Sequence, residues 1–375
     1  MFQKSRKLLL MLLAVLALAY LFYKFRNSIT LEGFHWGMVA QSLRDARLSL
    51  LVLSVFAIYA CFAIRAVRWM RFSRTLGHTH FWNVYSATLM GFTCSFLLGR
   101  AGEPIRPVLI AKKDSIPVPR MFGVYVLERV FDMASAAVIA GLALMVFKRQ
   151  GTESGEQTDR IAYLARTGGV LLFVLLASAI AFLLYFRFHG AEWLGKRLKK
   201  STWQHGWRGK IAALLEGFSE GLQGIRTWND LVVLLAYSGL HWFLVLLVYV
   251  WIAHAFSGEP ALAAMTLSGA LVVLAFTLIG SAAQLPGVGG GAQLATFLVL
   301  TLIFGVEKEP AATASIVLWL VSFASCCLVG LPLLFSEGWS MGELRQLAKE
   351  EERAAVAVES AEWAEKASRS EERPQ

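Results

Sequence analysis

Missing from this 375-residue chain are the short segments of strictly alternating polar and apolar residues from which a transmembrane β-barrel is built. Recognisable catalytic sets are missing too. The sequence holds no nucleophile–His–acid set and no HExxH-type zinc motif. No Gly-Lys-Ser/Thr follows a glycine-rich stretch, as a Walker loop requires, and no strand precedes one, as a dinucleotide fingerprint requires. The four cysteines, Cys61, Cys94, Cys326 and Cys327, form no C-x-x-C pair and have no cluster of histidines near them. They read as small buried hydrophobes and imply neither a metal nor a disulfide. Charge is sparse as well, at 17% of residues. These absences leave no enzyme active site and no cofactor to expect.

What the chain has instead is apolar length. Hydrophobic residues make up 57% of it, against roughly 45–50% in soluble domains. Uncharged runs recur at 8–23, 48–64, 84–98, 168–186, 231–253, 261–283 and 311–335. Several approach the roughly 20 residues that cross about 30 Å of hydrocarbon as a helix. The expected fold class is therefore all-α: a polytopic integral membrane protein.

The net charge of +10 does not point to nucleic acid, because the lysines and arginines lie in short loops between apolar runs. That is the positive-inside pattern of a membrane protein, with attraction to anionic lipid. Lys4, Arg6 and Lys7 precede the 8–23 run, which continues past Ala17-Leu18-Ala19 and reads as an uncleaved first span. Basic clusters at Arg65–Arg74, at Lys112, Lys113 and Arg120, and at 187–210 orient the chain with both termini cytoplasmic.

If those clusters share one side, the stretch 81–110 must go in and come back. It is interrupted by Gly99-Arg100-Ala101-Gly102-Glu103-Pro104-Ile105-Arg106, where Gly99 and Gly102 loosen the backbone and Pro104 disfavours α geometry at Glu103. This predicts a helical hairpin with its tip in the membrane. A counterpart at 261–304 turns at Leu285-Pro286-Gly287-Val288-Gly289-Gly290-Gly291, between flanks with little positive charge. Span, hairpin, span in 48–147 then matches span, hairpin, span in 231–335 with opposite orientation. Inverted repeats with broken elements near the midplane are a transporter arrangement, and the breaks mark the substrate path. About six full spans plus two broken or re-entrant hairpins are expected, in one membrane domain over 1–336. Residues 211–225 are amphipathic and read either as a helix on the inner leaflet or as one packed on the bundle. Residues 337–375, with ten acids and six bases, read as a charged, solvated cytoplasmic tail with no attached catalytic domain.

Ionisable residues at membrane depth carry the functional expectation. Arg100, Glu103 and Arg106 surround the first break, and Glu128, Arg129 and Asp132 lie in the otherwise apolar 121–147. Buried singly, each would cost several kcal/mol, so they should face inward and pair. Glu128 and Asp132 share a helix face at i,i+4 and need a cation between them. The arginines, above all Arg100, Arg106 and Arg129, offer planar forks for a phosphate, and Glu103, Glu128 and Asp132 balance them. One reading is an ion-pair network that fastens hairpin to span; the other is an anion site assisted by the half-helix after Pro104. The second break, with Pro286, Gly287, Gly289, Gly290 and Gln293, is either a close helix contact or exposed backbone lining the path. Arg65, Arg68 and Trp69 read as an interfacial anchor, with lipid-headgroup contact as the alternative, and His241 as a satisfied hydrogen-bonding residue in an apolar span rather than a proton relay.

Taken in order, Arg65-x-x-Arg68-Trp69, Gly99-Arg100-Ala101-Gly102-Glu103-Pro104-x-Arg106, Glu128-Arg129-x-x-Asp132 and Leu285-Pro286-Gly287-Val288-Gly289-Gly290 resemble the lysylphosphatidylglycerol synthase transmembrane-region family, also called flippase-like domain proteins. The resemblance covers roughly 6–335. It implies a bacterial or archaeal inner-membrane protein associated with moving lipids between leaflets. In relatives this region flips an aminoacylated phosphatidylglycerol made by a fused cytosolic domain; others accompany polyprenyl-phosphate sugar pathways. Synthesis of the aminoacyl lipid is not implied for this chain. Gln293 stands where an acid is expected, and the final span lacks an arginine that many relatives carry. The expectation is a flippase or scramblase for an anionic or phosphate-bearing lipid. The alternatives are a non-transporting partner of a lipid-modifying or envelope glycosylation enzyme, and a small-anion transporter. The partners expected are membrane lipids, not nucleic acid.

Overall fold

In hydrocarbon a backbone finds no water, so a long apolar run can satisfy its N–H and C=O groups only along its own helix. The computed structural model describes residues 36–146, 227–281, 284–285, 289–338 and 342, and within them the apolar runs are helical. The expected spans at 8–23 and 168–186, the amphipathic 211–225 and nearly all of the tail fall outside these residues.

In the first half, α1 (Trp36–Arg44) leads into the long α2 (Leu48–Ser73). Then α3 (Phe81–Leu98), a 3-10 turn (Gly99–Gly102) and the short α4 (Ile105–Lys113) make the first hairpin. A 29-residue α5 (Val118–Val146) follows. In the second half, α6 (Trp228–Ala255) is followed by a one-turn α7 (Pro260–Ala263) and by the second hairpin. That hairpin is α8 (Leu267–Gly280), a two-residue antiparallel pairing of Gln284–Leu285 with Gly289–Gly290, and α9 (Gly291–Leu302). Then α10 (Lys308–Ser322) and α11 (Cys327–Ser336) are joined through a 3-10 turn.

Caps mark where helices begin. Thr227 and Asp230 form a reciprocal capping box at the start of α6: Asp230 N donates to Thr227 Oγ1 at 3.2 Å, and Thr227 N to the Asp230 carboxylate at 3.1 Å. Thr266 caps α8 by accepting from Gly269 N at 3.2 Å. The breaks are glycine breaks. Gly99, with φ +67°, ends α3, and Gly290, with φ +110°, precedes α9, conformations that glycine alone adopts cheaply.

Among the described residues two helices, α2 and α6, are long and apolar enough to cross a membrane. They would be three if α10 and α11, bent by 40° at their junction, make one span. The run at 311–335, expected as one continuous span, is thus broken after Ser322. Helix α5 has the length, but Glu128, Arg129 and Asp132 interrupt its apolarity. At 1.5 Å per residue, the 14 residues of α8 and 12 of α9 span about 21 and 18 Å, short of the roughly 30 Å core.

Helices α2 and α6 pack along each other, α8 lies against α5 and α9, and α11 lies against α3. Small residues permit the tightest approaches. A Cβ at Gly91 would meet the Cβ of Arg106 at 2.5 Å, so α4 folds back directly onto α3. A Cβ at Gly102 would fall on the Cys94 carbonyl, one at Gly280 on the Gly291 carbonyl, and one at Gly330 on Thr93 Oγ1. Large apolar side chains point outward: Phe56 is 70% exposed, Trp82 73% and Leu302 76%. Apolar surface of that extent is intolerable in water and ordinary against lipid.

Candidate functional site

The site grows from three helices that bring charge inward. On α5, Glu128 and Asp132 stack one turn apart. On α2, Arg65 and Arg68 stand three residues apart and face them. Arg68 Nη2 reaches Glu128 Oε1 at 3.1 Å and Asp132 Oδ1 at 2.6 Å, while its Nη1 donates to Ser238 Oγ on α6 at 3.0 Å. Arg65 Nε lies 3.3 Å from Glu128 Oε1, and its Nη2 is paired with Asp132 Oδ2. From α4 comes Arg106, which grips both Glu128 oxygens, with Nη1 3.3 Å from Oε1 and Nη2 paired with Oε2. Glu128 therefore accepts from three guanidiniums.

Burial shows why they converge. Arg68 and Glu128 are each 1% exposed and Arg106 is 3% exposed, so an unpaired member would leave a naked charge in an apolar interior. The apolar walls contribute as well. The Arg106 guanidinium sits 4.5 Å over the Trp69 ring and 5.6 Å from Phe92, and Arg65 lies 5.1 Å over Phe92, distances at which a cation is attracted to a ring face.

A looser group lies beside this core. Arg129 reaches Glu103 Oε2 and Asp132 Oδ2, each at 3.4 Å, and Tyr125 donates to Glu103 Oε2 at 3.1 Å. The Arg129 and Glu103 side chains are about a third exposed. They look onto a cavity of about 590 Å³, lined on the charged side by Arg65, Glu103, Arg129 and Asp132. Its other walls include His241 and Trp242 from α6, Thr277 from α8 and Ser281 just after it, Gln293 and Thr296 from α9, and Trp319 and Ser322 from α10. The Gln284–Leu285 segment touches the Gly99–Gly102 turn. The two breaks thus meet beside the same cavity.

Arg106, Glu103, Glu128, Arg129 and Asp132, expected from the sequence to pair, are brought together. The backbone of Arg100 lies in the 3-10 turn, but its side chain is outside what is described, as are Pro286 and Gly287. Gly99 ends α3, Gly102 packs on Cys94, and Pro104 caps α4. Gly289 and Gly290 pair with Leu285 and Gln284. Gln293 lines the cavity while its Oε1 accepts from Gly290 N at 2.5 Å.

One expectation is corrected. Arg65, Arg68 and Trp69, read as an interfacial anchor, lie inside: Trp69 is 1% exposed, because α2 runs on to Ser73 and carries them past the span's end into the bundle. The i,i+3 spacing of the two arginines was the available signal, since it puts both on one face. His241 is 5% exposed and lines the cavity. Ser238 was not foreseen, and nothing in its apolar sequence neighbourhood marks it.

Comparison with known proteins adds one match. A family model described as lysylphosphatidylglycerol synthase TM region matches residues 8–330. No curated protein and no solved structure matches.

Proposed function

Because the chain belongs to the lysylphosphatidylglycerol synthase transmembrane-region family, a membrane family of lipid metabolism or transport, we propose that it carries an anionic, phosphate-bearing lipid between the leaflets of the cytoplasmic membrane. One observation carries the reading. In the cavity wall and in the buried network directly behind it, Arg65, Arg68, Arg106 and Arg129 stand against Glu103, Glu128 and Asp132, four positive charges against three negative. One positive charge is left over among the described residues, at a depth where uncompensated charge is costly. A phosphodiester monoanion in the cavity would cancel it.

In this proposal the buried arginines hold the carboxylates in place, and Arg129 with Arg65 receives the phosphate oxygens in charge-assisted hydrogen bonds. The two hairpins, whose arms α4, α8 and α9 are too short to cross, enter from opposite faces as halves of an inverted repeat, and their glycine breaks form the path. Acyl chains would stay in the bilayer while the headgroup passes the cavity. With no nucleotide-binding motif in the sequence, movement is downhill or ion-coupled. The role proposed is transport rather than catalysis.

The test is reconstitution of the full chain into liposomes holding a fluorescent phosphatidylglycerol, with the outer-leaflet signal quenched by a membrane-impermeant reductant. Wild-type protein should expose the inner-leaflet pool. Arg129→Gln, at a partly exposed position whose loss costs little stability, should slow this by about tenfold or more, as expected for losing one charge-assisted contact. An unchanged rate in that variant would reject the assigned site.

A further inference from the structure

The three carboxylates of the charge network are not held alike. Glu128 accepts from Arg65, Arg68 and Arg106 and is 1% exposed. Asp132 is held by Arg65, Arg68 and Arg129. Glu103 has the Arg129 guanidinium at 3.4 Å and the Tyr125 hydroxyl at 3.1 Å, and its side chain is about a third exposed beside the cavity. Arg129 is also the cation that the proposed phosphate engages. An anion that takes Arg129 leaves Asp132 with two guanidiniums, but leaves Glu103 with only the Tyr125 hydroxyl among the described residues. At this depth a carboxylate without a cation is costly as the anion and tolerable as the neutral acid.

The charge of the cargo decides when a proton is needed. With four positive charges against three negative among the described residues, a phosphodiester monoanion completes the network unaided. A phosphate monoester carries two negative charges above its second ionisation, near about pH 6, so one more positive charge must enter with it. The other groups around Glu103 do not supply it. Arg65 on α2, Arg106 on α4 and Arg129 on α5 are cations already, and Asp132 on α5 keeps its guanidiniums. His241, from the α6 wall, is 5% exposed and lies near Arg65 and Arg68, so a proton there would meet two like charges. The lining residues of α8, α9 and α10 include no Asp, Glu, Lys or Arg. Glu103, open to the cavity and loosely held, is the group left to take the proton.

We infer that the cavity admits a phosphate monoester together with one proton, which Glu103 carries while Arg129 holds the phosphate. This rests on the reading of the charged wall as a phosphate site and adds the cargo's charge state and its coupling ion. Monoester and proton enter and leave together, so a pH gradient across the membrane drives the cargo.

The test is calorimetric titration of the detergent-purified full chain in two buffers of different ionisation heat, which counts protons exchanged on binding. The probes are dihexanoyl phosphatidic acid, a monoester, and dihexanoyl phosphatidylmethanol, a diester with one fixed charge. At about pH 8, where the monoester is a dianion, wild-type protein should take up about one proton with phosphatidic acid and none with phosphatidylmethanol. Its phosphatidic-acid affinity should fall by up to about tenfold per pH unit as the pH rises. Glu103→Gln imitates the protonated carboxyl, so proton uptake should vanish and that affinity should stop falling with pH. Binding of phosphatidic acid to wild type without proton uptake, equal uptake with both lipids, or uptake that persists in Glu103→Gln would overturn the inference and leave the phosphate site standing. Binding of neither lipid would overturn both.

Discussion

Arg106 and Glu128 face each other fork to fork, with Nη1 3.3 Å from Oε1 and Nη2 paired with Oε2, both side chains at most 4% exposed. The pair links the short return helix of the first hairpin to the long α5. Glu128 also serves Arg65 and Arg68, so one carboxylate holds three elements together.

Removing that carboxylate should be costly. Glu128→Ala leaves three guanidiniums without their shared acceptor, and breaking a buried pair costs about 3–5 kcal/mol. A marked fall in thermal midpoint is expected in detergent. The double variant Arg106→Met, Glu128→Met should be less destabilised than the sum of the single variants, because neither charge is then stranded. Additive losses in that cycle would show that the two residues do not act as a pair.

The glycine contacts make a second, graded prediction. Gly102→Ala drives a methyl into the Cys94 carbonyl, which is backbone and cannot swing away. A loss of about 1–3 kcal/mol is expected. At Gly239, inside α6, a Cβ meets nothing within 4 Å, and Ala there should gain about 0.5–1 kcal/mol from helix propensity. Melting temperatures of the two variants should move in opposite directions.

Sidedness gives a third. The Lys112 and Lys308 side chains are both exposed, one at the end of the first hairpin and the other after the second. In oriented vesicles Lys112→Cys should react with an impermeant maleimide only from the cytoplasmic face and Lys308→Cys only from the opposite face. Labelling of both from one face would refute the inverted design.

Between α6 and α7, burial raises the Glu259 carboxyl above its ordinary range, and the Glu307 carboxylate adds to the rise. A raised folded value means that the folded state binds the proton more tightly. Stability from this group is therefore present at low pH and declines above about pH 4.3, the unfolded value. Glu259→Gln should flatten that decline. A midpoint-against-pH series that stays parallel to wild type would contradict it.

The membrane class, the helices and the two breaks were legible because each depends on local sequence: apolar runs long enough for helices, and glycines at 99, 102, 289 and 290 that no continuous helix would choose. The need for the charges at 103–132 to pair was legible too, since charge at that depth cannot stand alone. The partners were not. Arg65 and Arg68 sit at the end of an apolar run, where a linear reading sees a membrane boundary. Their inward direction depends on how α2 is rotated against α5 and α6.

The sequence by itself determined that this chain is an α-helical membrane protein of a lipid-handling family with charge inside it, because hydropathy and backbone satisfaction are properties of each segment alone. Only the tertiary structure decided that two arginines from α2 join the set, that one positive charge remains among the described residues, and that the charged wall faces a wall of hydroxyls. Those follow from helix rotation and from the close approaches at Gly91, Gly102 and Gly280, which are set by packing between segments far apart in the chain.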